Sequence, residues 1–238
     1  MKKAIIVGAS SGIGKELAQI LVKEGYSVGI TGRRLDKLDE LKSQNPDRYI
    51  ISNFDVRETE GAIAALEMLA TELGRLDLLI ISSGTGDINP NLDFETEKNT
   101  IDTNVTGFTC IADWTFNYFM KQGHGQLAAI TSLGGLRGSA EAPAYNASKA
   151  FQINYLEGLR QKAAKAKLPV PITDIRPGLV DTAMAKGEGL FWVMPVEKVS
   201  RQIYRAITKK KRVATVTRRW RIVAVVLKLM PRSIYERM

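Results

Sequence analysis

The first residues of this chain admit few folds. Residues 3–7, Lys-Ala-Ile-Ile-Val, are a short apolar run, followed at once by Gly8-Ala-Ser-Ser-Gly12-Ile-Gly14 and then by Lys15-Glu-Leu-Ala-Gln-Ile-Leu-Val. The order is strand, glycine turn, helix. Without a Cβ such a turn bends freely and lets a ligand approach the backbone. Amides at the positive end of the following helix favour an anion there, such as a phosphate. The spacing Gly-x-x-x-Gly-x-Gly is one residue longer between its first two glycines than the common dinucleotide fingerprint. By itself the turn could also be merely a tight strand-to-helix connection.

The rest of the chain continues the alternation. Strand-like runs near 3–7, 27–31, 49–53, 77–82, 126–131 and 170–175 are separated by helix-like stretches near 13–24, 34–44, 58–73, 93–121 and 144–166. A charged turn, Lys209-Lys-Lys-Arg212, precedes a seventh strand. The pattern predicts an α/β fold, a doubly wound parallel sheet of about seven strands with helices on both faces. Functional groups are expected at the carboxyl edge of that sheet. With 238 residues and 45% hydrophobic content, the chain can bury a sizeable core. No Pro/Ser-rich linker, repeat or low-complexity tract divides it. The organisation expected is one catalytic domain over 1–217 and a basic, apolar helical tail over 218–238.

Tyr145-Asn-Ala-Ser-Lys149 supplies the chemistry, because residues four apart share a helix face. A phenol titrates near ~10, and an ammonium held beside it would favour the phenolate and lower that value. Tyr145 could then exchange a proton with an alcohol or alkoxide oxygen.

With the glycine turn and this pair in order, the sequence resembles the short-chain dehydrogenase/reductase family in its single-domain, Rossmann-type form, over about residues 3–183. Gly8, Gly12 and Gly14 fit the family's cofactor turn, and Tyr145 and Lys149 its active-site pair. Ser132, at the end of Leu-Ala-Ala-Ile-Thr-Ser, fits the substrate-orienting serine. Asn104 fits the helix asparagine, and Arg176-Pro-Gly-Leu-Val-Asp-Thr182 the segment bordering the nicotinamide. The resemblance implies catalytic roles for Asn104, Ser132, Tyr145 and Lys149. Ser132 would hydrogen-bond the substrate oxygen, Tyr145 would supply the proton, and Lys149 would acidify Tyr145 and hold the nicotinamide ribose. Asn104 would anchor a water linking Lys149 to solvent. Cofactor contacts are implied at Gly8, Ser10, Ser11, Gly12, Ile13, Gly14, Arg33, Arg34, Asp55, Val56, Ser83, Gly84, Tyr145, Lys149, Pro177, Gly178, Val180 and Thr182. The chain departs from the family at Ser82-Ser83-Gly84, where Asn-Ala-Gly is usual. A hydroxyl offers one donor where an amide offers two, which leaves open how strand four is tied to its neighbours.

The second strand, Tyr26-Ser-Val-Gly-Ile-Thr31, ends in Gly32-Arg33-Arg34. An NAD-preferring enzyme places a carboxylate there for the adenosine ribose. Here the position holds Gly32, and guanidinium groups that bind phosphate through paired hydrogen bonds follow. NADP(H) is the expected cofactor. Asp55-Val56 matches the family's pair near the adenine, although Asp55 also suits a helix N-cap.

Composition narrows the alternatives. One histidine, His124, and one cysteine, Cys110, do not suffice for a metal site or a Ser/His triad, so no metal is expected. Cys110 reads as a buried, inert thiol in a chain suited to a reducing cytoplasm. The run after Met1-Lys-Lys is too short for a secretory leader.

The net charge of +9 is concentrated at one end: residues 198–238 hold 13 Lys/Arg and one acidic residue, leaving 21 basic and 24 acidic upstream. On a helix Trp220, Val223, Leu227 and Met230 share one stripe, and Arg221, Val225, Lys228 and Arg232 another. The segment falls short of the ~20 apolar residues a span requires. Two readings stay open: peripheral contact with a membrane interface, or packing on the domain or a second subunit. No nucleic-acid partner is expected.

The function expected is hydride transfer between NADPH and a small-molecule carbonyl or secondary alcohol, by a homo-oligomer as the family implies. Leu190, Phe191, Trp192, Val193 and Met194 would form an apolar lid favouring a hydrophobic substrate, or would close the core instead. The second class considered is a non-catalytic NADP-binding module acting through its tail.

Overall fold

The computed structural model describes residues 1–185 and 191–237. Its element order is β1 (Lys3–Val7), α1 (Gly12–Lys23), β2 (Ser27–Gly32), α2 (Leu35–Ser43), β3 (Tyr49–Asn53), α3 (Thr59–Leu73), β4 (Leu78–Ile81) and α4 (Phe94–Ile101). A π-helical segment, Asp102–Gly107, joins α4 to α5 (Phe108–Gln122). Then come β5 (Gln126–Ile130), a 3-10 turn (Leu133–Leu136), α6 (Pro143–Lys165), β6 (Ile172–Pro177), α7 (Val196–Thr208), β7 (Val213–Val216), α8 (Arg218–Leu229) and α9 (Arg232–Tyr235).

The seven strands pair in the order β3-β2-β1-β4-β5-β6-β7, every pairing parallel. A parallel sheet needs helical crossovers that cover both faces, so its inner strands are apolar on both sides. Alternate residues of β1 accordingly serve two cores. Ile5 and Val7 join Leu66, Phe108, Phe116 and Leu156 beneath α3, α5 and α6. Ala4 and Ile6 join Leu17, Leu21, Ile203 and Ile207 beneath α1 and α7. The α7 helix is absent from the helices expected above. Its Val199, Ile203, Ala206 and Ile207 are buried at helical spacing, a signal the surrounding charges obscure.

The helix expected over 93–121 is interrupted. Asp93 caps α4 by accepting from Thr96 N at 2.9 Å, but from Asp102 the ladder widens to the π form before α5 resumes. Such bulges re-aim side chains and are common at functional sites. This one carries Asn104, fully buried.

Strand β6 places two charges in the interior. Asp174 is 0% and Arg176 8% exposed, and residues two apart on a strand share a face. Arg176 Nη2 lies 2.6 Å from Asp174 Oδ2, and Thr131 Oγ1 donates to Asp174 Oδ1 at 2.6 Å. Removing one member of a buried pair strands the other without water. Asp174→Asn is expected to destabilise the fold by about 3–5 kcal/mol, whereas Asp174→Leu/Arg176→Met together recover most of that loss. Urea unfolding of the parent, Asp174→Leu, Arg176→Met and the double variant measures the coupling.

Candidate active site

The glycine turn lies at the carboxyl ends of β1 and β2. Gly8 N and Ala9 N donate to Thr31 O at 3.1 and 2.8 Å. Gly8 has φ +91°, and a Cβ there would stand 2.5 Å from Ser83 N. A Cβ on Gly14 would meet Gly8 O at 1.9 Å and Ser82 Oγ at 3.2 Å. The turn is therefore pressed against the loop that follows β4, and only glycine fits at these two contacts. The serines at 82 and 83 are accommodated by this closeness. Ser82 N donates to Val7 O at 2.8 Å, so backbone ties β4 to β1 where the family's asparagine is absent.

The two arginines diverge. Arg34, just before α2, folds back so that Nη2 donates to Ser10 Oγ at 2.9 Å and Ser11 Oγ at 2.7 Å. Arg33 turns outward, its Nη1 3.7 Å from Asp55 Oδ2. Asp55 is held by Arg57 at 2.6 Å, and its Oδ1 accepts from Arg57 N at 3.0 Å, a local turn rather than a helix cap. Val56 directs its side chain into the core. Two hydroxyls, one guanidinium and the helix-start amides surround the turn with no carboxylate among them. This donor set fits a phosphate-bearing dinucleotide.

Beside the turn stand the four residues expected to be catalytic. Pro143 occupies the first turn of α6, a position that needs no amide donor. That start puts Tyr145 at the helix mouth, with Lys149 one turn deeper. The Lys149 ammonium lies 5.7 Å from the Tyr145 ring centroid. Its hydrogen bonds run elsewhere, to Ile130 O at 3.3 Å and Gln152 Oε1 at 3.0 Å. Ser132 follows β5, and its Oγ accepts from Gly134 N at 3.0 Å. A Cβ on Gly86 would enter the Tyr145 ring at 2.3 Å, so the loop after β4 lies directly on the phenol.

This packing works against the acidification expected of Tyr145. Burial pushes the Tyr145 phenol above its usual range, and a hydrogen bond with Ser132 pulls against that rise. Burial likewise lowers Lys149 to about 8, opposed by attraction to Asp174. Desolvation disfavours the charged form of each residue. For Tyr145 the larger of the two opposing effects is burial.

Asn104 is a strut. Its Oδ1 accepts from Thr85 N at 2.9 Å, and its Nδ2 donates to Thr85 O at 2.7 Å and Ser148 Oγ at 3.0 Å. The loop after β4 is thereby fixed over Tyr145. Gln152 joins the Asn104 segment to Lys149. Gln152 Nε2 donates to Asn104 O at 2.9 Å while Gln152 Oε1 accepts from Lys149. Gln152 and Ser148 belong to this network and are not among the residues read from sequence. Their one local signal is a polar residue on the Lys149 face of α6, where an apolar one would serve packing.

A family model, short chain dehydrogenase, matches residues 2–190. An uncharacterized oxidoreductase of Myxococcus xanthus is 32% identical over 188 residues, spanning 77% of this chain and 74% of its own. The chain belongs to the short chain dehydrogenase family. An uncharacterized oxidoreductase of Staphylococcus aureus, also 32% identical, spans 77% of this dehydrogenase and 80% of its own length. Among solved structures, serine dehydrogenase from Escherichia coli superposes with a TM-score of 0.77 at 27% identity, covering 90% of this chain and 95% of its own. A short chain dehydrogenase from Burkholderia cenocepacia in complex with NADP reaches 0.85 at 20% identity, covering 100% and 98%. At that identity the likeness is one of fold.

The far wall of this dehydrogenase's site comes from beyond β6. Thr182 Cγ2 would lie 3.2 Å from a Cβ on Gly12, closing the glycine turn from above. Val180 is buried and pairs with Met194. Of the expected lid, Met194 packs into the core beside β1, while Phe191 and Trp192 stay 55% and 45% exposed. Leu190 lies outside the described residues. Trp220 of α8 rests on Gly178, where an added Cβ would meet its ring at 2.1 Å. Its centroid is 5.4 Å from Phe191 and 6.2 Å from Trp192. The tail thus packs on the domain. Its buried face contains Trp220 and Val223 from the predicted stripe, set against Leu133, Leu136 and Leu179.

Lys149 gives the folded protein a pH signature. The amine drops from 10.5 to about 8 on folding. Between those values the unfolded chain binds more protons, so this residue's contribution grows as pH rises and is lost as pH falls through about 8. Lys149→Met removes that dependence. The stability difference, parent minus variant, is expected to climb from about pH 8 to about 10.5 in urea titrations followed by circular dichroism; a flat difference would contradict a buried amine.

Proposed function

We propose that this oxidoreductase transfers hydride reversibly between NADPH and a hydrophobic carbonyl or secondary alcohol. The observation that carries the reading is the meeting of two devices at one sheet edge: a glycine turn braced by Arg34, and the Ser132–Tyr145–Lys149 cluster beside it.

When bound, the cofactor supplies the hydride, and the protein supplies position and proton. Gly8, Gly12 and Gly14 give backbone access to the pyrophosphate. Ser10, Ser11 and Arg34 would take the extra phosphate that distinguishes NADPH, with Arg33 at the rim. Ser83, Gly84, Pro177, Gly178 and Thr182 flank the nicotinamide end. Ser132 orients the substrate oxygen, and Tyr145, kept protonated by its burial, delivers its proton to that oxygen as the alcohol forms. Lys149 holds the ribose and, through Gln152, connects the site to Asn104. Phe191, Trp192 and Trp220, with Leu136 and Leu179 nearby, support a hydrophobic substrate. A complete proton-handling set argues against a module that only senses the cofactor.

Tyr145→Phe is expected to lower NADPH-dependent carbonyl reduction by about 100-fold or more, with NADPH affinity by fluorescence titration nearly unchanged. Comparable turnover in parent and variant, across aliphatic, aromatic, steroid and oxoacyl carbonyls, would remove Tyr145 from the chemistry. Arg34→Ala is expected to weaken NADPH by about tenfold or more while leaving NADH unaffected. Equal losses for both cofactors would place Arg34 away from the distinguishing phosphate.

A further inference from the structure

Helix α8 has two apolar faces, and the domain covers one of them. Trp220, Val223 and Ala224 are packed on the 3-10 turn and the segment after β6. On the opposite side Ile222, Val226 and Leu229 are 66%, 49% and 77% exposed. These three fall within an arc of about 60° on the helix. Val225, 55% exposed, widens the arc to about 100°, and exposed basic residues flank it, Arg219 on one edge and Arg221 with Lys228 on the other.

The helix cannot roll to hide this face. Arg137 Nε donates to Leu227 O at 2.7 Å and its Nη2 donates to Met230 O. Tyr235 OH donates to Gly138 O at 2.6 Å. The C-terminal end of α8 and the end of α9 are thus fastened to the loop between the 3-10 turn and α6, while Trp220 seats the start of α8 on Gly178. An apolar arc held outward with cations on both margins is the arrangement of a helix lying in a membrane interface.

Charge selects the occupant. Residues 198–238 carry 13 basic side chains against one acidic, while the remainder of the chain is slightly acidic. A two-fold contact between copies through this face would bring its arginines and lysine against their own equivalents, with Glu236 as the sole acidic residue in the tail to offset them. A nucleic acid would meet the cations but leave the aliphatic arc without a partner. Anionic lipid satisfies both, phosphates at the margins and acyl chains beneath the arc. No helix among the described residues is long and apolar enough to cross a membrane.

We propose that the outward face of α8 docks this protein on an anionic membrane surface, Ile222, Val226 and Leu229 entering the acyl boundary and Arg219, Arg221 and Lys228 meeting lipid phosphates. The Arg219 guanidinium lies 5.9 Å from the Trp192 ring, so docking brings the aromatic rim of the cleft to the lipid. On the reductase reading, a hydrophobic substrate would then enter from the bilayer side. The docking itself does not depend on that reading.

The test is flotation of the full chain with phosphatidylcholine vesicles, with and without about one-third phosphatidylglycerol, at low and high salt. Parent protein is expected to float with the anionic vesicles, at least about tenfold less with neutral ones, and less at high salt. Ile222→Glu/Leu229→Glu and, separately, Arg221→Gln/Lys228→Gln should each reduce flotation by about tenfold or more. These positions are exposed, and thermal unfolding by circular dichroism confirms that the variants are folded. Absence of parent flotation, equal flotation with neutral vesicles, or folded variants that float like the parent would overturn the proposal. So would a parent that ignores lipid but loses a self-associated species in sedimentation velocity on Ile222→Glu/Leu229→Glu, which assigns the face to a second copy.

Discussion

The site depends on where the chain changes its direction of travel across the sheet. From β1 the connection leads outward to β2, and from β4 it leads the opposite way to β5. Adjacent strands whose exits diverge leave a crevice at their carboxyl ends. In this protein the floor of the crevice is a direct contact between the two exit loops, so close that a Cβ on Gly8 would overlap Ser83 N at 2.5 Å. Everything that follows is arranged around that contact. Arg34 braces the turn from β2, Asn104 pins the β4 loop from the π segment, and Tyr145 lies under the same loop.

Burial sets the electrostatics of the crevice. Lys149 enters the interior with hydrogen bonds to Ile130 and Gln152 but no carboxylate among the described residues in contact, and Asp174 acts on it only through space. A cation so placed sheds its proton more readily than in water. The phenol beside it holds its proton more tightly for the same reason. The pair is therefore biased toward its neutral forms by the fold, with the Ser132 hydrogen bond opposing the rise at Tyr145.

Much of this was legible in the primary structure. The strand–turn–helix at Gly8–Gly14, the alternation that gives a parallel sheet, and the Tyr145/Lys149 spacing are local patterns fixed by backbone geometry. The packed face of α8, with Trp220 and Val223, follows from helical periodicity. Other features were not legible. The π segment carries Asn104 to Thr85, a contact between residues 19 apart that no local pattern announces. Gln152 resembles any helix residue until Asn104 and Lys149 are brought to either end of its amide. Arg33 and Arg34 are chemically equivalent in sequence; the exit of β2 turns one to Asp55 and the other to Ser10 and Ser11.

By itself the sequence determined most of the elements, the parallel character of the sheet and the residues proposed for proton transfer, because these follow from propensity, periodicity and functional-group chemistry over short spans. Only the tertiary structure decided how those residues ionise, which arginine meets the glycine turn, and which of the two apolar faces of α8 the domain covers. Those outcomes depend on desolvation and on contacts between distant segments, which exist only once the chain has closed on itself.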